Sequence, residues 1–363
     1  MKHVLIIGGY GNFGSYITKV LSEEPDLKIT IAGRSEAKAR AFTAQHPNVD
    51  YVVTDITKNL HETLRKVSPD IVIHTSGPFQ GQGYNVAESC IAQGCHYIDL
   101  ADGRDFVAHI DTLNQKAVRN NVTVISGASS VPSLSSAILN EYKSEFSKLV
   151  ELDYGIATAQ QTNRGLATTS AILSYVGKPV KTMINGKAQD VYGWQDMHYE
   201  DYPQLGKRLL SNCEIPDLEL FPMAYPDLET VRFYAGTEMR LMHFGLWLMS
   251  WPVRWGWVKT LQPLGPMLLK AAYIFDRVGS SNSAFHMHMK GLGKGGKPHQ
   301  KTVYILARDG HGPYIPCIPS IVLCRKMART DKLKAGAYSG LGQVSLEEYL
   351  KAMAGLNIEY IEG

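Results

Sequence analysis

The chain has 363 residues, of which 44% are hydrophobic and 20% charged, with a formal net charge of +3 at pH 7. This length suits two domains with full cores, and so balanced a charge, without a Lys/Arg run, gives no electrostatic case for nucleic acid. Five scattered cysteines with no C-x-x-C pair argue against a disulfide framework or a zinc site and for a reducing, cytoplasmic setting, while a short apolar start and no run of 18 apolar residues argue against a signal peptide and a membrane span.

In chain order, Val4-Leu5-Ile6-Ile7 reads as a short strand buried on both faces. Gly8-Gly9-Tyr10-Gly11-Asn12-Phe13-Gly14 follows and fits G-x-G-x-x-G as Gly9, Gly11 and Gly14, with Gly8 as an extra glycine. Ser15 to Leu21 then has helical spacing, so the motif sits between a strand and a helix, the context of a dinucleotide-binding turn. Gly9 is assigned the tight turn, Gly11 the approach of the backbone to a pyrophosphate, and Gly14 the close packing of helix on strand. The second strand, Leu27 to Ala32, ends at Gly33-Arg34-Ser35. An NAD-binding domain places an acid near this position, and an arginine here matches a 2′-phosphate instead, with Ser35 as a second donor. The reading is NADP; the plain alternative is a solvated arginine in a turn.

A helix over Glu36 to Gln45 leads to the strand Asp50 to Thr54 and to Asp55, which either bonds the adenine amino group or caps the next helix. The fourth strand, Ile71 to His74, opens into Thr75-Ser76-Gly77-Pro78, small residues at the end of a strand where such sheets bind ligands. A helix over Tyr84 to Gln93, a strand over His96 to Leu100, a helix over about 107–119 and a strand over Val122 to Ser126 complete a doubly wound parallel sheet of six strands. The acid/base candidates near its crevice are Tyr84, His96, Tyr97, Asp99 and Asp102, and the catalytic assignment is to Asp102, Tyr97 and Tyr84. Asp102 lies just past a strand end, where it either reaches the nicotinamide side or caps a turn with Gly103. No Tyr-x-x-x-Lys pair exists, because Glu88 and Ala101 occupy the lysine positions.

These residues carry a family resemblance. GGYGNFG, AGRS, SGPFQGQGYNVAESCIAQGCHYIDLADG and SGASSVPSLSS look like the saccharopine dehydrogenase-like oxidoreductases, strongly over residues 3–140 and more loosely beyond. The resemblance implies an NADP-linked oxidoreductase with an inserted α+β substrate domain, acting on an imine or secondary amine of an amino-acid adduct. The chain departs from many relatives at Asp99-Leu100-Ala101-Asp102-Gly103, where they have Asp-Leu-x-Gly-Glu.

Past about residue 145 the pattern changes to an α+β region with an antiparallel or mixed sheet. Strands are expected over 150–158, 231–234, 284–290 and 301–307, the last two joined by a long Gly/Lys loop, and helices over 167–176, 315–328 and 346–351. His286 and His288 share a strand face; with no third partner in view they read as a surface pair, and no metal is expected. Arg164, Arg232 and Arg240 are candidates to bind substrate carboxylates. The stretch Leu241 to Phe275 holds four of the five tryptophans, with Trp247, Trp251 and Trp255 at helical spacing, Pro252 as a breaker and Arg254 and Lys259 alongside. It suits a membrane interface or an oily ligand, or else a domain core or dimer interface. The organisation expected is an NADP-binding domain over 1–135, an α+β substrate and dimerisation domain over 136–330, and a segment over 331–363 that returns to the first domain. A hydrophobic carbonyl or enoyl substrate, and a non-catalytic cofactor-binding scaffold, are the rival functions; the partners expected are a small-molecule substrate and a second copy of the chain.

Overall fold

Four buried apolar residues, Val4 to Ile7, place β1 (Lys2–Ile7) inside a parallel sheet. The protein is described from a computed structural model covering residues 1–329 and 333–363. Around β1 lie α1 (Gly14–Leu21), β2 (Leu27–Gly33), α2 (Glu36–Gln45), β3 (Val49–Val53), α3 (Leu60–Val67), β4 (Ile71–His74), α4 (Asn85–Ala92) and β5 (His96–Asp99). They continue through α5 (Arg104–Ala108), α6 (Asn114–Arg119), β6 (Thr123–Ser126) and α7 (Ser135–Tyr142). The strands run parallel in the order β6-β5-β4-β1-β2-β3, and their near-continuous apolar runs reflect helices on both faces. The single helix expected over 107–119 is broken. A 3-10 turn, Ile110–Leu113, separates α5 from α6 and turns both Ile110 and Leu113 into the core.

The second sheet is mixed. Its spine is β7 (Phe146–Thr158), followed by α8 (Leu166–Tyr175), β8 (Pro179–Ile184), β9 (Lys187–Tyr192), β10 (His198–Tyr202), β11 (Gly206–Asn212), α9 (Asp217–Ala224) and β12 (Thr230–Thr237). Then come α10 (Arg240–Arg254), α11 (Gly265–Ile274), β13 (Ser283–Gly293) and β14 (Pro298–Ala307). β7 pairs parallel with β12 and antiparallel with β13, and β11 and β10 extend the sheet beyond β12. The β13–β14 hairpin has no long loop. Its ladder continues to Leu292 and Pro298, so only residues 294–297 lie outside the two strands.

The chain then returns to both sheets. α12 (Ile318–Ala328) lies on β4 and β5, β15 (Gly336–Ser339) adds a seventh parallel strand beside β6, α13 (Leu346–Ala352) packs on α12, and β16 (Ile358–Glu362) pairs antiparallel with β14. Contacts divide the chain into a first unit, Met1–Ile138 with Tyr314–Ala352, and a second, Leu139–Pro313 with Met353–Gly363. α12 therefore belongs with the parallel sheet, not with the 136–330 domain expected from sequence. The reason is its apolar content, since Ile318, Ile321, Leu323 and Cys324 are all buried. Pro316 falls in a preceding 3-10 turn and Pro319 in the first turn of α12, where a missing N–H breaks no helical bond. The expected boundary between residues 330 and 331 lies outside the described residues.

Candidate functional site

The turn after β1 is a tight backbone cradle. Gly8, not Gly9, takes the left-handed conformation, with φ +81°, and a Cβ there would stand 2.6 Å from Thr75 Oγ1 and 2.7 Å from Ser76 Oγ. The tight-turn role expected of Gly9 thus falls to the extra glycine. Gly9 instead lets the turn press on β2, since a Cβ would lie 2.4 Å from Ile31 Cγ2. Gly14 lets α1 close on the strand end, where a Cβ would lie 2.2 Å from the Gly8 carbonyl oxygen. At Gly11 the only atom within 4 Å of such a Cβ is the Gly8 oxygen, at 3.1 Å, so its outer side is open. The Gly11 N–H donates to Gly8 O at 2.8 Å and the Thr18 hydroxyl to Gly9 O at 3.0 Å, which fixes the turn against α1. An open Gly11 at the start of a helix, with first-turn N–H groups that have no intrahelical acceptor, fits a pyrophosphate.

Next to this cradle stand the groups that would meet an adenosine. The Tyr10 hydroxyl accepts from the Ser35 N–H at 2.9 Å and rests on Gly33, tying the turn to the end of β2. Ser35 caps α2 by accepting from the Lys38 N–H at 3.4 Å. Arg34, between them, is exposed and makes no hydrogen bond or ion pair among the described residues. Asp55 accepts from both the N–H and the hydroxyl of Thr57, at 3.0 and 2.7 Å, so it orders the turn before α3. Those bonds from Thr57, with help from the Lys58 and Arg34 charges, hold its carboxyl below the usual range against a small desolvation effect. Asn12 and Phe13 complete the turn, Phe13 as the N-cap residue of α1.

The loops after β4 and β5 lie against each other. Thr75 donates both its N–H and its hydroxyl to Ile7 O at 2.9 Å, and Gln82 Nε2 braces Ser76 O and Pro78 O at 3.1 and 2.6 Å. Ser76, Gly77 and Pro78 thus form a fixed ledge beside Gly8. Gly103 admits the neighbouring loop, since a Cβ there would be 3.2 Å from the Phe79 carbonyl carbon. Asp102, exposed, accepts from Gln80 Nε2 at 3.1 Å. The other two catalytic candidates, expected near the crevice, have their hydroxyls bound within the fold. Tyr97 is 0% exposed inside the core, and its hydroxyl is 3.0 Å from His74 Nδ1. Tyr84 is half-buried and donates to Phe106 O at 2.9 Å; burial pushes its phenol up to about 12. Both hold helices and strands together.

Sequence reasoning missed His74, which the sheet register sets beside Asp99. Each ends a buried strand with one unsatisfied atom, His74 Nε2 and Asp99 Oδ2. Burial lowers the His74 imidazole to about 4. Burial also raises Asp99 to about 6, although its Oδ1 accepts from Gly127 N–H, Ala101 N–H and Ser126 hydroxyl at 2.8, 2.9 and 3.0 Å. The visible signal was a polar residue closing each strand, IVIH and HYID.

In the second unit the three arginines are not gathered. Arg164 pairs with Asp276, Arg240 sits over the Tyr199 ring at 5.6 Å, and Arg232 lies beside Tyr234. Arg232 and Arg240 line different hollows. The expected surface pair of histidines is also corrected: His286 is 0% exposed, and Glu200 on β10 is a third polar neighbour of both rings.

The tryptophan stretch forms α10 and α11, and only His243, Ser250 and Val253 of α10 are buried. The buried face is largely polar: His243 Nε2 meets Ser211 Oγ at 2.8 Å and Gln195 Nε2 donates to Ser250 Oγ at 3.0 Å. The apolar face looks outward, with Leu241 66%, Trp255 56% and Trp257 76% exposed, so these residues are not a domain core. Pro252 falls in the last turn of α10, which ends two residues later. No helix among the described residues is long and apolar enough to cross a membrane.

Residues 4–125 match the saccharopine dehydrogenase NADP binding domain. By sequence, no curated protein matches the chain. Among solved structures, apo saccharopine dehydrogenase (L-Glu forming) from Saccharomyces cerevisiae is similar over 100% of both chains, with a TM-score of 0.69 and 13% identity. Homospermidine synthase from Legionella pneumophila, solved with NAD, is similar over 99% of this chain and 91% of its own, with a TM-score of 0.62 and 11% identity. The chain thus has a saccharopine dehydrogenase-like fold, and its first 125 residues or so resemble that family's NADP-binding domain.

Proposed function

We propose that this saccharopine dehydrogenase-like protein is an NADP(H)-dependent oxidoreductase that moves a hydride to or from the C–N centre of an amino-acid-derived substrate, with an imine on one side and a secondary amine on the other. The observation that carries the reading is the cradle at Gly8–Gly14 with the unpaired guanidinium of Arg34 at the end of the next strand. The family's NADP-binding description and the two amine-handling neighbours, a saccharopine dehydrogenase and a homospermidine synthase, support it. A bound nicotinamide supplies the hydride chemistry. The Gly11 side of the turn receives the pyrophosphate, Arg34 and Ser35 hold the 2′-phosphate, and the Thr75–Pro78 ledge bounds the crevice at the end of β4. Asp102, exposed and held by Gln80, is the carboxylate placed to hold or pass a proton, whereas Tyr84 and Tyr97 support the loops. Gly11→Val adds a branched side chain on the open side of the turn and should abolish NADPH binding in a fluorescence titration while leaving circular dichroism unchanged. Undiminished binding by that variant, or no NADPH oxidation with any imine by the unmodified protein, would overturn the reading.

The outward apolar face of α10 and α11 favours a second reading, an NADPH-dependent reductase of a hydrophobic carbonyl or enoyl substrate met at a lipid surface. Met197, Leu209, Leu241 and Phe244 line an apolar hollow beside α10, with Arg240 at its edge. Dispersed arginines fit such a substrate better than one with several carboxylates. Homodimerisation through the same face is the competing use of that surface.

A further inference from the structure

β13 sets His286 and His288 on one face of the second sheet, and Glu200 of β10 reaches the same place. His288 Nε2 is 3.1 Å from Glu200 Oε1, and the Tyr304 hydroxyl donates to that oxygen at 3.2 Å. His286 is fully buried, and its Nε2 has no hydrogen-bond partner. The Asp153 carboxylate, 3.7 Å away, is too distant to bond it. Leaving a buried polar atom unsatisfied is costly, so such an atom in a polar cluster asks for a ligand. One ligand atom each from Glu200, His286 and His288 lie within 4.8 Å of one another.

The surroundings hold both rings by their Nδ1 atoms. Tyr202 Oη stands 2.9 Å from His286 Nδ1, and Thr302 Oγ1 stands 3.0 Å from His288 Nδ1. With both Nδ1 atoms engaged, His286 Nε2 is left without a partner and His288 Nε2 is turned to Glu200, as when outer partners fix metal-ligating histidines. Gly155, opposite His286 on β7, leaves the imidazole its place: a Cβ there would lie 2.9 Å from His286 Cε1.

We propose that Glu200, His286 and His288 form a site for a divalent transition metal of the zinc class, bound through two imidazole Nε2 atoms and one carboxylate oxygen, with water completing the set. Imidazole ligands disfavour calcium and magnesium, which take oxygen. Metal–ligand distances are about 2.0–2.2 Å; His288 Nε2 and Glu200 Oε1 already stand 3.1 Å apart, and His286 is the ligand that closes on them. Nothing in this assignment depends on which nicotinamide cofactor the first unit binds.

The test uses the untagged full-length chain after treatment with a chelator. Titration with zinc sulfate in a calorimeter should saturate at one ion per chain, and cobalt(II) in its place should give the visible absorption of a four- or five-coordinate nitrogen/oxygen site. His288→Gln and Glu200→Gln, both at partly exposed positions, should each weaken zinc binding by at least about tenfold. His299→Gln should leave it unchanged, because His299 is paired with Glu145 elsewhere on the same sheet. No saturable zinc binding by the unmodified protein would overturn the proposal. So would octahedral cobalt absorption, or zinc binding unaffected by His288→Gln and Glu200→Gln. The cobalt spectrum needs no variant, so it judges the site even if a substitution disturbs folding.

Discussion

Arg34 is exposed at the end of β2, and its charge reaches Asp55 at the end of β3. A hydrogen bond to a charged group contributes roughly 1.5–3 kcal/mol, and about 1.4 kcal/mol is a factor of ten. Arg34→Asp removes the cation, repels a 2′-phosphate and supplies the acceptor an NAD ribose needs. NADP affinity should fall at least about tenfold and the preference should invert; calorimetry showing equal discrimination before and after would make Arg34 a plain turn residue. Two buried groups at neighbouring strand ends of the first sheet, His74 and Asp99, give a pH prediction. His74 has a folded pKa near 4, below its unfolded value of about 6.5, so its contribution is present above pH 6.5 and is lost as pH falls toward 4. Asp99, raised to about 6 from about 3.9, acts in the opposite sense: the folded state binds its proton more tightly, and stability from that source is full below about pH 4 and is lost as pH rises to 6. Between pH 4 and 6 the two slopes oppose each other. Asp99→Asn removes one, so urea unfolding should show stability falling more steeply on acidification, by up to about 1.4 kcal/mol per pH unit. An unchanged slope would mean that Asp99 is ionised throughout that range.

Elements differed in how plainly the sequence announced them. β1, α1, α2 and β4 could be read almost to the residue, because strands buried on both faces are continuous apolar runs and the glycine turn punctuates them. The hairpin of β8 and β9 was missed although Asn185-Gly186 marks it; both residues have positive φ, at 52° and 71°, as a tight hairpin turn needs. Every residue of β9 is at least partly exposed, so no apolar alternation called attention to it. At the site, the glycines were legible but not their division of labour, since Gly8 is singled out by Thr75 and Ser76, residues nearly seventy positions away in sequence. α10 was recognised as helical and aromatic, yet only packing reveals that His243 and Ser250 point inward. Residues 240–278 carry Arg240, Arg254, Lys259, Lys270 and Arg277 against the single acid Asp276. Basic residues near an anionic bilayer contribute about 1 kcal/mol each, in addition to the burial of Trp255 and Trp257. The protein should therefore co-sediment with phosphatidylserine-containing vesicles and not with phosphatidylcholine alone, and Trp257→Ala with Leu248→Asp should abolish the effect. Failure to co-sediment, together with a dimer in light scattering, would assign this surface to a second copy of the chain.

At the scale of the whole molecule, the chain completes its two units from one C-terminal segment, and sequence periodicity could not show which part serves which. α12, β15 and α13 finish the parallel sheet, and β16 alone crosses back to the mixed one. A four-residue strand such as β15, GAYS, has too little apolar content to be recognised without its neighbour β6. β16 closes an edge that β14 would otherwise leave open, and its side chains anchor it: Tyr360 to Tyr142 at 2.8 Å, Glu362 to Lys301 at 2.6 Å and Glu359 to Arg308 at 3.1 Å. The exposed ion pairs add little by themselves, so most of the stabilisation comes from the ladder and from the β14 backbone groups it satisfies. Stopping the chain after Ala352 should therefore weaken the second unit alone. At about 2–4 °C per kcal/mol for a unit of this size, and roughly 1 kcal/mol for each lost ladder bond, a calorimetric transition should fall by about 5 °C or more. NADPH affinity in a fluorescence titration should stay within twofold, because the glycine turn, Arg34 and the Thr75–Pro78 ledge keep every partner described above. Loss of cofactor binding on this truncation would show that the first unit depends on the mixed sheet for its folded state, and an unmoved transition would show that β16 is dispensable.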